Sequence, residues 1–136
     1  MAAAIVDSSV GDLDGVLEAA EKQGGGAVLL LFLGDRIPSI GQSWCPDCVR
    51  AEPVIYKEVE SAGHKVTLVR VNVGDKPTWR DPAHPLRIDP RFRLTGVPTL
   101  IRWSSGTILD RLEDHEAHLA DKVRRLVNTP NKIVNP

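Results

Sequence analysis

The chain has 136 residues, 42% of them hydrophobic, and a formal charge of -1 at pH 7. That is enough apolar material for one core and too little chain for two ordinary domains, so a single domain over residues 1–136 is expected. A near-zero charge argues against a nucleic-acid partner, whose binding calls for a strongly basic face; the most basic stretch, Lys76 to Arg93, reads as a solvated loop.

At the N-terminus there is no basic segment, and Asp7, Asp12 and Asp14 interrupt the chain before any long apolar run, so neither a secretory nor a transit peptide is expected. Ser9 and Asp12 have capping-box spacing, and Leu13, Val16, Leu17 and Ala20 recur at helical intervals until Gly24-Gly25-Gly26. Ala27 to Leu33 is a continuous aliphatic run, far short of the roughly 20 residues of a membrane span, and reads as a strand buried on both faces. A loop from Gly34 to Ser43 then leads into Trp44-Cys45-Pro46-Asp47-Cys48, which holds both cysteines of the chain.

A helix should start at Cys45, with Pro46 in its first turn, a kink at Pro53, and Val49, Pro53, Tyr56 and Val59 facing inward. Lys65 to Val73 alternates like a strand. Four prolines between Pro77 and Pro90 leave room for a short helix around Asp89 to Leu94. Thr99 to Trp103 and Thr107 to Leu112 flank Ser104-Ser105-Gly106 as a hairpin. A last helix carries Leu119, Val123, Leu126 and Val127 on one face, with Glu113, Asp114 and Glu116 at its start, and the tail after Asn128 should fray. The order strand–helix–strand–helix–strand followed by helix–hairpin–helix makes an α/β fold, whose sites lie beyond the carboxyl ends of central parallel strands. Cys45 falls there.

Two thiols at this spacing form a redox pair when the first sits at a helix N-terminus, where unpaired N–H groups stabilise its thiolate. Cys45 is then the nucleophile and Cys48 the resolving thiol. The competing readings are an inert buried pair and a zinc site joining Cys45 and Cys48 to His115 and His118; zinc needs four converging ligands, and no metal is expected. His64 and His84 read as surface residues. Two cysteines without an export signal suit a reducing, cytoplasmic compartment.

Trp44 before the first cysteine, Pro53 eight residues after it, and Thr95-Gly96-Val97-Pro98-Thr99 ahead of an apolar strand resemble the thioredoxin family. More narrowly, Ser43-Trp44-Cys45-Pro46-Asp47-Cys48 and Lys76-Pro77-Thr78-Trp79-Arg80-Asp81-Pro82 resemble the Clot-type thioredoxin-like proteins. The resemblance spans roughly Ile5 to Val127. It implies a thioredoxin-like fold, a central mixed sheet with flanking helices, and protein-disulfide reductase activity on selected proteins or small disulfides. It also implies a cis Val97–Pro98 bond whose preceding residue pairs with an extended substrate, and Trp44 as the hydrophobic flank of the site. No cofactor is expected on the chain, which lacks a Gly-rich nucleotide loop; electrons are expected from an NADPH-dependent thioredoxin reductase or from glutathione. A monomer is expected, and a binding module without turnover and a glutathione-linked redox protein remain the alternatives.

The chain departs from ordinary thioredoxins in three ways. Pro46-Asp47 replaces Gly-Pro between the cysteines, the buried acid of the preceding strand has no counterpart, and the loop before Trp44 is longer, with Glu113 and Asp114 expected near the groove. Trp79 and Trp103 read as core or loop-anchoring aromatics, and Trp79, with prolines around it, is also a candidate substrate contact. Asp47 should oppose ionisation of Cys45 while helping to take the proton from Cys48, as the strand offers no base.

Overall fold

The computed structural model describes residues 3–23 and 26–131. In chain order the elements are β1 (Ala3–Ser9), α1 (Leu13–Lys22), β2 (Ala27–Leu33), β3 (Arg36–Ile37), β4 (Gln42–Ser43) and α2 (Pro46–Glu60). They continue with β5 (Val66–Asn72), α3 (Lys76–Arg80), α4 (Pro85–Ile88), β6 (Thr99–Ser104), β7 (Thr107–Leu112) and α5 (Ala120–Val127).

Five strands form one sheet in the order β1-β5-β2-β6-β7. β1 and β2 run parallel to β5 on either side of it, whereas β6 is antiparallel to β2 and β7 to β6. All seven residues of β2 are buried, as a continuous apolar run in a sheet covered on both faces requires. The β6–β7 hairpin turns at Ser105 and Gly106, both with positive φ (48° and 80°), the mirror-image geometry that matches strand twist.

Helix α5 buries Val123, Leu126 and Val127 and packs on α2, with Arg124 Nε donating to the buried Glu58 carboxylate at 2.9 Å. Elsewhere in the core, Phe92 stacks between Phe32 and Trp103, at 5.3 and 5.5 Å between ring centroids, and Trp103 Nε1 donates to Glu21 of α1. No helix of the described residues is long and apolar enough to cross a membrane.

Several elements differ from the pattern read in the sequence. The strand that opens the expected order is β1, for which the sequence pattern gives no bounds: it is an edge strand with Ile5 and Val6 exposed and has no buried apolar alternation. Ser9 Oγ does accept the Asp12 N–H, at 3.1 Å, but α1 begins only at Leu13 and ends at Lys22; Gly24 and Gly25 lie outside the described residues. The loop Gly34 to Ser43 contains the small β3–β4 hairpin.

The short helices fall at Lys76–Arg80 and Pro85–Ile88, each with a proline at its start where no N–H is missed, while Asp89 to Leu94 forms turns. Helix α2 runs on through Pro53. Its buried face is Cys48, Ala51, Glu52, Ile55, Glu58 and Val59; Val49 and Tyr56 are half-buried and Pro53 is exposed. Leu119 caps α5 from an exposed position, and the acids before it lie in turns. Beyond Asn128 the chain folds back as far as Asn131, which accepts from the buried Arg102 at 2.7 Å and donates to the Gly26 carbonyl; residues 132–136 lie outside the described residues.

Candidate redox site

The buried strand β2 and the hairpin after it deliver Trp44 and Cys45 to the start of α2. Trp44 is half-buried and fixed at both ends: its N–H donates to the Asp35 carbonyl at 3.1 Å and its indole Nε1 to the Gly74 carbonyl at 2.8 Å. Its ring lies flat against Gly34, where a Cβ would come within 2.5 Å of it. Only glycine fits there.

Cys45 is the N-cap of α2, in extended conformation, followed by Pro46 at the first helical position. Its Sγ accepts the Cys48 N–H at 3.2 Å, the bond an N-cap side chain makes to the first turn. The Cys45 N–H donates to Ser43 Oγ at 3.1 Å, and that hydroxyl donates to the Gly34 carbonyl at 2.7 Å. Across the site, Cys45 Sγ lies 3.5 Å from the carbonyl oxygen of Val97, which precedes Pro98 in a cis peptide bond. Thr99 Oγ1 ties that turn to the Gly96 carbonyl at 2.7 Å.

The two thiols have opposite electrostatics. The Cys48 side chain holds the Cys45 thiol below the ordinary cysteine range; burial resists this, the Cys48 N–H assists, and the Asp47 carboxylate resists by repulsion. The Cys48 thiol is pushed far above that range, chiefly by its interaction with the Cys45 sulfur and then by burial. Neither thiol is open to solvent: Cys45 is 5% exposed and Cys48 0%, so access to the pair is narrow. A sulfur that ionises readily thus sits above one that does not, an arrangement in which the first can attack a disulfide and the second can follow.

Asp47 is half-exposed and ion-paired to Arg50 at 2.9 Å. Its charge bears on Cys45, while Cys48 lies buried behind the helix turn, so the expected role in taking the Cys48 proton finds no support in the geometry. Trp79 is corrected more sharply. It is 4% exposed, stacked under the Arg87 guanidinium at 3.9 Å from the ring centroid and edge-on to His84 at 5.0 Å. A ring so covered offers substrate no surface. Arg87 also donates to the Trp79 and Thr95 carbonyls, so Trp79 supports the segment leading to Val97-Pro98 from beneath.

His84 is likewise buried, with Nε2 2.7 Å from the Val73 carbonyl and Nδ1 accepting the Leu86 N–H. His115 is exposed beside Asp114 and Glu116, and among the described residues no group of three or more His, Cys, Asp or Glu could hold a metal ion. Asp114 does lie by the groove: a Cβ on Gly96 would come within 2.9 Å of its carboxylate, whereas Glu113 turns to Arg111.

A cavity of about 550 Å³ over Asp7, Asn72 and His84 touches neither cysteine. One of about 340 Å³ lies between α2 and the β3–β4 hairpin; neither cysteine lines it, but Ser43 and Val49, which flank the dithiol in the chain, do. The sequence reading passed over Ser43 and Gly34, whose contacts are set by the hairpin, and over Glu52. Its spacing of four from Cys48 could have flagged Glu52 as a neighbour on the same helical face.

Sheet order, the cis-proline turn and the helix-capping dithiol define a thioredoxin fold. Structural likeness agrees: a thioredoxin from Halobacterium salinarum superposes with a TM-score of 0.57 at 20% identity, over 98% of this chain and 94% of that one, and Fasciola hepatica thioredoxin with 0.52 at 16%, over 90% of this chain and 98% of that one. The family model for the thioredoxin domain of thioredoxin domain-containing protein 17-like proteins matches residues 9–129, and the chain belongs to that family. Its relatives include the thioredoxin-like protein Clot of Oryza sativa, 58% identical over 93% of this chain and 96% of that protein. Human thioredoxin domain-containing protein 17 is 32% identical over 83% and 89%.

Proposed function

We propose that this protein is a thiol–disulfide oxidoreductase that reduces selected protein or small-molecule disulfides. The observation that carries the reading is Cys45 Sγ at the N-terminus of α2, receiving the Cys48 N–H at 3.2 Å and facing the Val97 carbonyl. The Cys45 thiolate attacks a substrate disulfide RSSR, expelling RS⁻, which takes up a proton, and leaving a Cys45–S–S–R mixed disulfide. Cys48, deprotonated, then attacks Cys45 Sγ; the second RS⁻ leaves and is protonated, and the dithiol has given two electrons and become a disulfide. The backbone beside Val97 is the edge on which an extended substrate would pair, which gives binding tolerant of sequence.

Re-reduction of the Cys45–Cys48 disulfide requires an outside donor, for which we propose a thioredoxin-type reductase drawing on NADPH, with glutathione as the second choice. A cytoplasmic setting fits such a donor. The narrow access to the sulfurs and Asp114 beside the turn favour small or selected disulfides over bulky proteins such as insulin. Cys45→Ser should abolish disulfide reduction, whereas Cys48→Ser should accumulate a mixed disulfide detectable by mass spectrometry. An active Cys45→Ser protein would overturn the reading.

A further inference from the structure

The resolving step needs a group to take the proton from Cys48, a fully buried thiol over a wholly apolar strand: Leu31, Phe32 and Leu33 offer no acid. The helix carries one instead. Glu52 lies one turn beyond Cys48 on the same buried face of α2, at the spacing where helical side chains are neighbours. Its side chain is 11% exposed and pairs with Arg36 of β3 at 3.1 Å. Together with Ser43, Val49 and Tyr56 this pair lines the 340 Å³ cavity, which reaches toward the dithiol at Ser43 and Val49 and is roomy enough for solvent. Ser43 belongs to both places. Its hydroxyl binds the Cys45 N–H and the Gly34 carbonyl, it favours the Cys48 thiolate, and its residue opens on the cavity.

We propose that Glu52 is the proton acceptor for Cys48, reached through the Ser43 hydroxyl and the solvent of this cavity. In the resolving step the Cys48 S–H bond breaks and the Ser43 oxygen takes its proton, while the hydroxyl's own proton leaves the Gly34 carbonyl and passes through the cavity's solvent to the Glu52 carboxylate. The sulfur's electron pair forms the bond to Cys45 Sγ, and the thiol of the mixed disulfide departs as RS⁻. The accepted proton leaves by the cavity mouth, where Arg36 is half-exposed. Glu52 acts through Ser43 and is therefore a positioning and proton-accepting residue; it does not touch the reacting sulfur.

The other charged or titratable groups around it are few. Arg36 comes from β3. Tyr56 lies a turn further along α2, its hydroxyl accepting from Arg70 of β5 at 3.2 Å, and Arg70 is in turn held by Asp7 of β1. Asp47 faces away, toward Arg50. The β3–β4 hairpin thus has a use: it brings Arg36 and Ser43 to the helix face that carries Glu52.

The proposal rests on the oxidoreductase reading, and one experiment separates the two. Reduced protein mixed with excess dithiobisnitrobenzoate in a stopped-flow instrument releases one coloured thiolate when Cys45 attacks and a second when Cys48 resolves. Glu52→Gln should leave the first phase near wild type and slow the second about a hundredfold at neutral pH, the lower end of what a positioned proton acceptor contributes. The rate should recover at alkaline pH as hydroxide takes over, and Glu52→Asp should restore part of it.

A second phase as fast in Glu52→Gln as in wild type at every pH overturns the proposal while leaving the redox reading intact; absence of the first phase in the wild type sinks the redox reading itself. Arg36→Met removes the ion pair but keeps the carboxylate and should resolve near the wild-type rate; slowing equal to that of Glu52→Gln would assign the effect to the broken pair and overturn the proposal. Should Glu52→Gln fail to fold, Ser43→Ala keeps the pair and should slow the second phase, and an unchanged second phase there has the same overturning force.

Discussion

Replacing Cys48 by alanine isolates what makes Cys45 ionise. The substitution deletes the side chain that does most to favour the Cys45 thiolate, yet keeps the backbone N–H that donates to it at 3.2 Å. A hydrogen bond to a charged group contributes about 1.5–3 kcal/mol. The Cys48 N–H and the helix N-terminus remain to stabilise the thiolate after the substitution, so the lower figure applies. About 1.5 kcal/mol corresponds to roughly a tenfold loss of thiolate at a fixed pH on the acid side of its titration.

Ultraviolet thiolate absorbance followed against pH measures this directly, and the alkylation rate with iodoacetamide gives an independent reading. Cys48→Ser, which retains an O–H donor, should keep most of the wild-type profile. If Cys48→Ala titrates just as the wild type does, the side chain is irrelevant and the N-cap position alone, through the backbone N–H and the helix dipole, ionises Cys45.

Gly34→Ala places a Cβ 2.5 Å from the Trp44 ring, which is pinned at its own N–H and at Nε1; a cost of about 1–3 kcal/mol is expected, read as a lower midpoint in urea unfolding, and an unchanged midpoint would mean that Trp44 moves freely. The reduced protein should gain stability as pH rises from the lowered Cys45 titration toward the ordinary cysteine value of 9.0, because there the unfolded chain holds a proton the folded one has lost. Above 9.0 the sign reverses: Cys48 ionises in the unfolded chain but stays protonated when folded, so unfolding midpoints should fall, and a flat profile across both windows would contradict the opposed pair. Asp114→Asn should raise turnover of anionic oxidised glutathione relative to cationic cystamine by about two- to fivefold, as expected for one screened charge near the groove; an unchanged ratio would remove Asp114 from substrate selection.

Local chemistry was enough to place the dithiol. A seven-residue apolar run between glycines suits a doubly covered strand, a proline after Cys45 suits the first turn of a helix, and Ser105-Gly106 suits a tight hairpin, so β2, the start of α2 and the β6–β7 hairpin are all legible in the residues themselves. These features depend on residues within a few positions of one another. What depends on distant partners was not legible. The bounds of β1 are set because β5 offers it hydrogen bonds, although Ala4 to Asp7 stay exposed; Trp79 and His84 are buried because Arg87 and the Val73 carbonyl meet them there, although prolines and charges surround both in the chain. The same holds within the site. Cys45 and Cys48 declared themselves by spacing, but the 52 residues to Val97, the 9 from Gly34 to Ser43 and the 16 from Arg36 to Glu52 close only when the chain folds, since a side chain's burial and its hydrogen-bond partners are properties of the packed molecule.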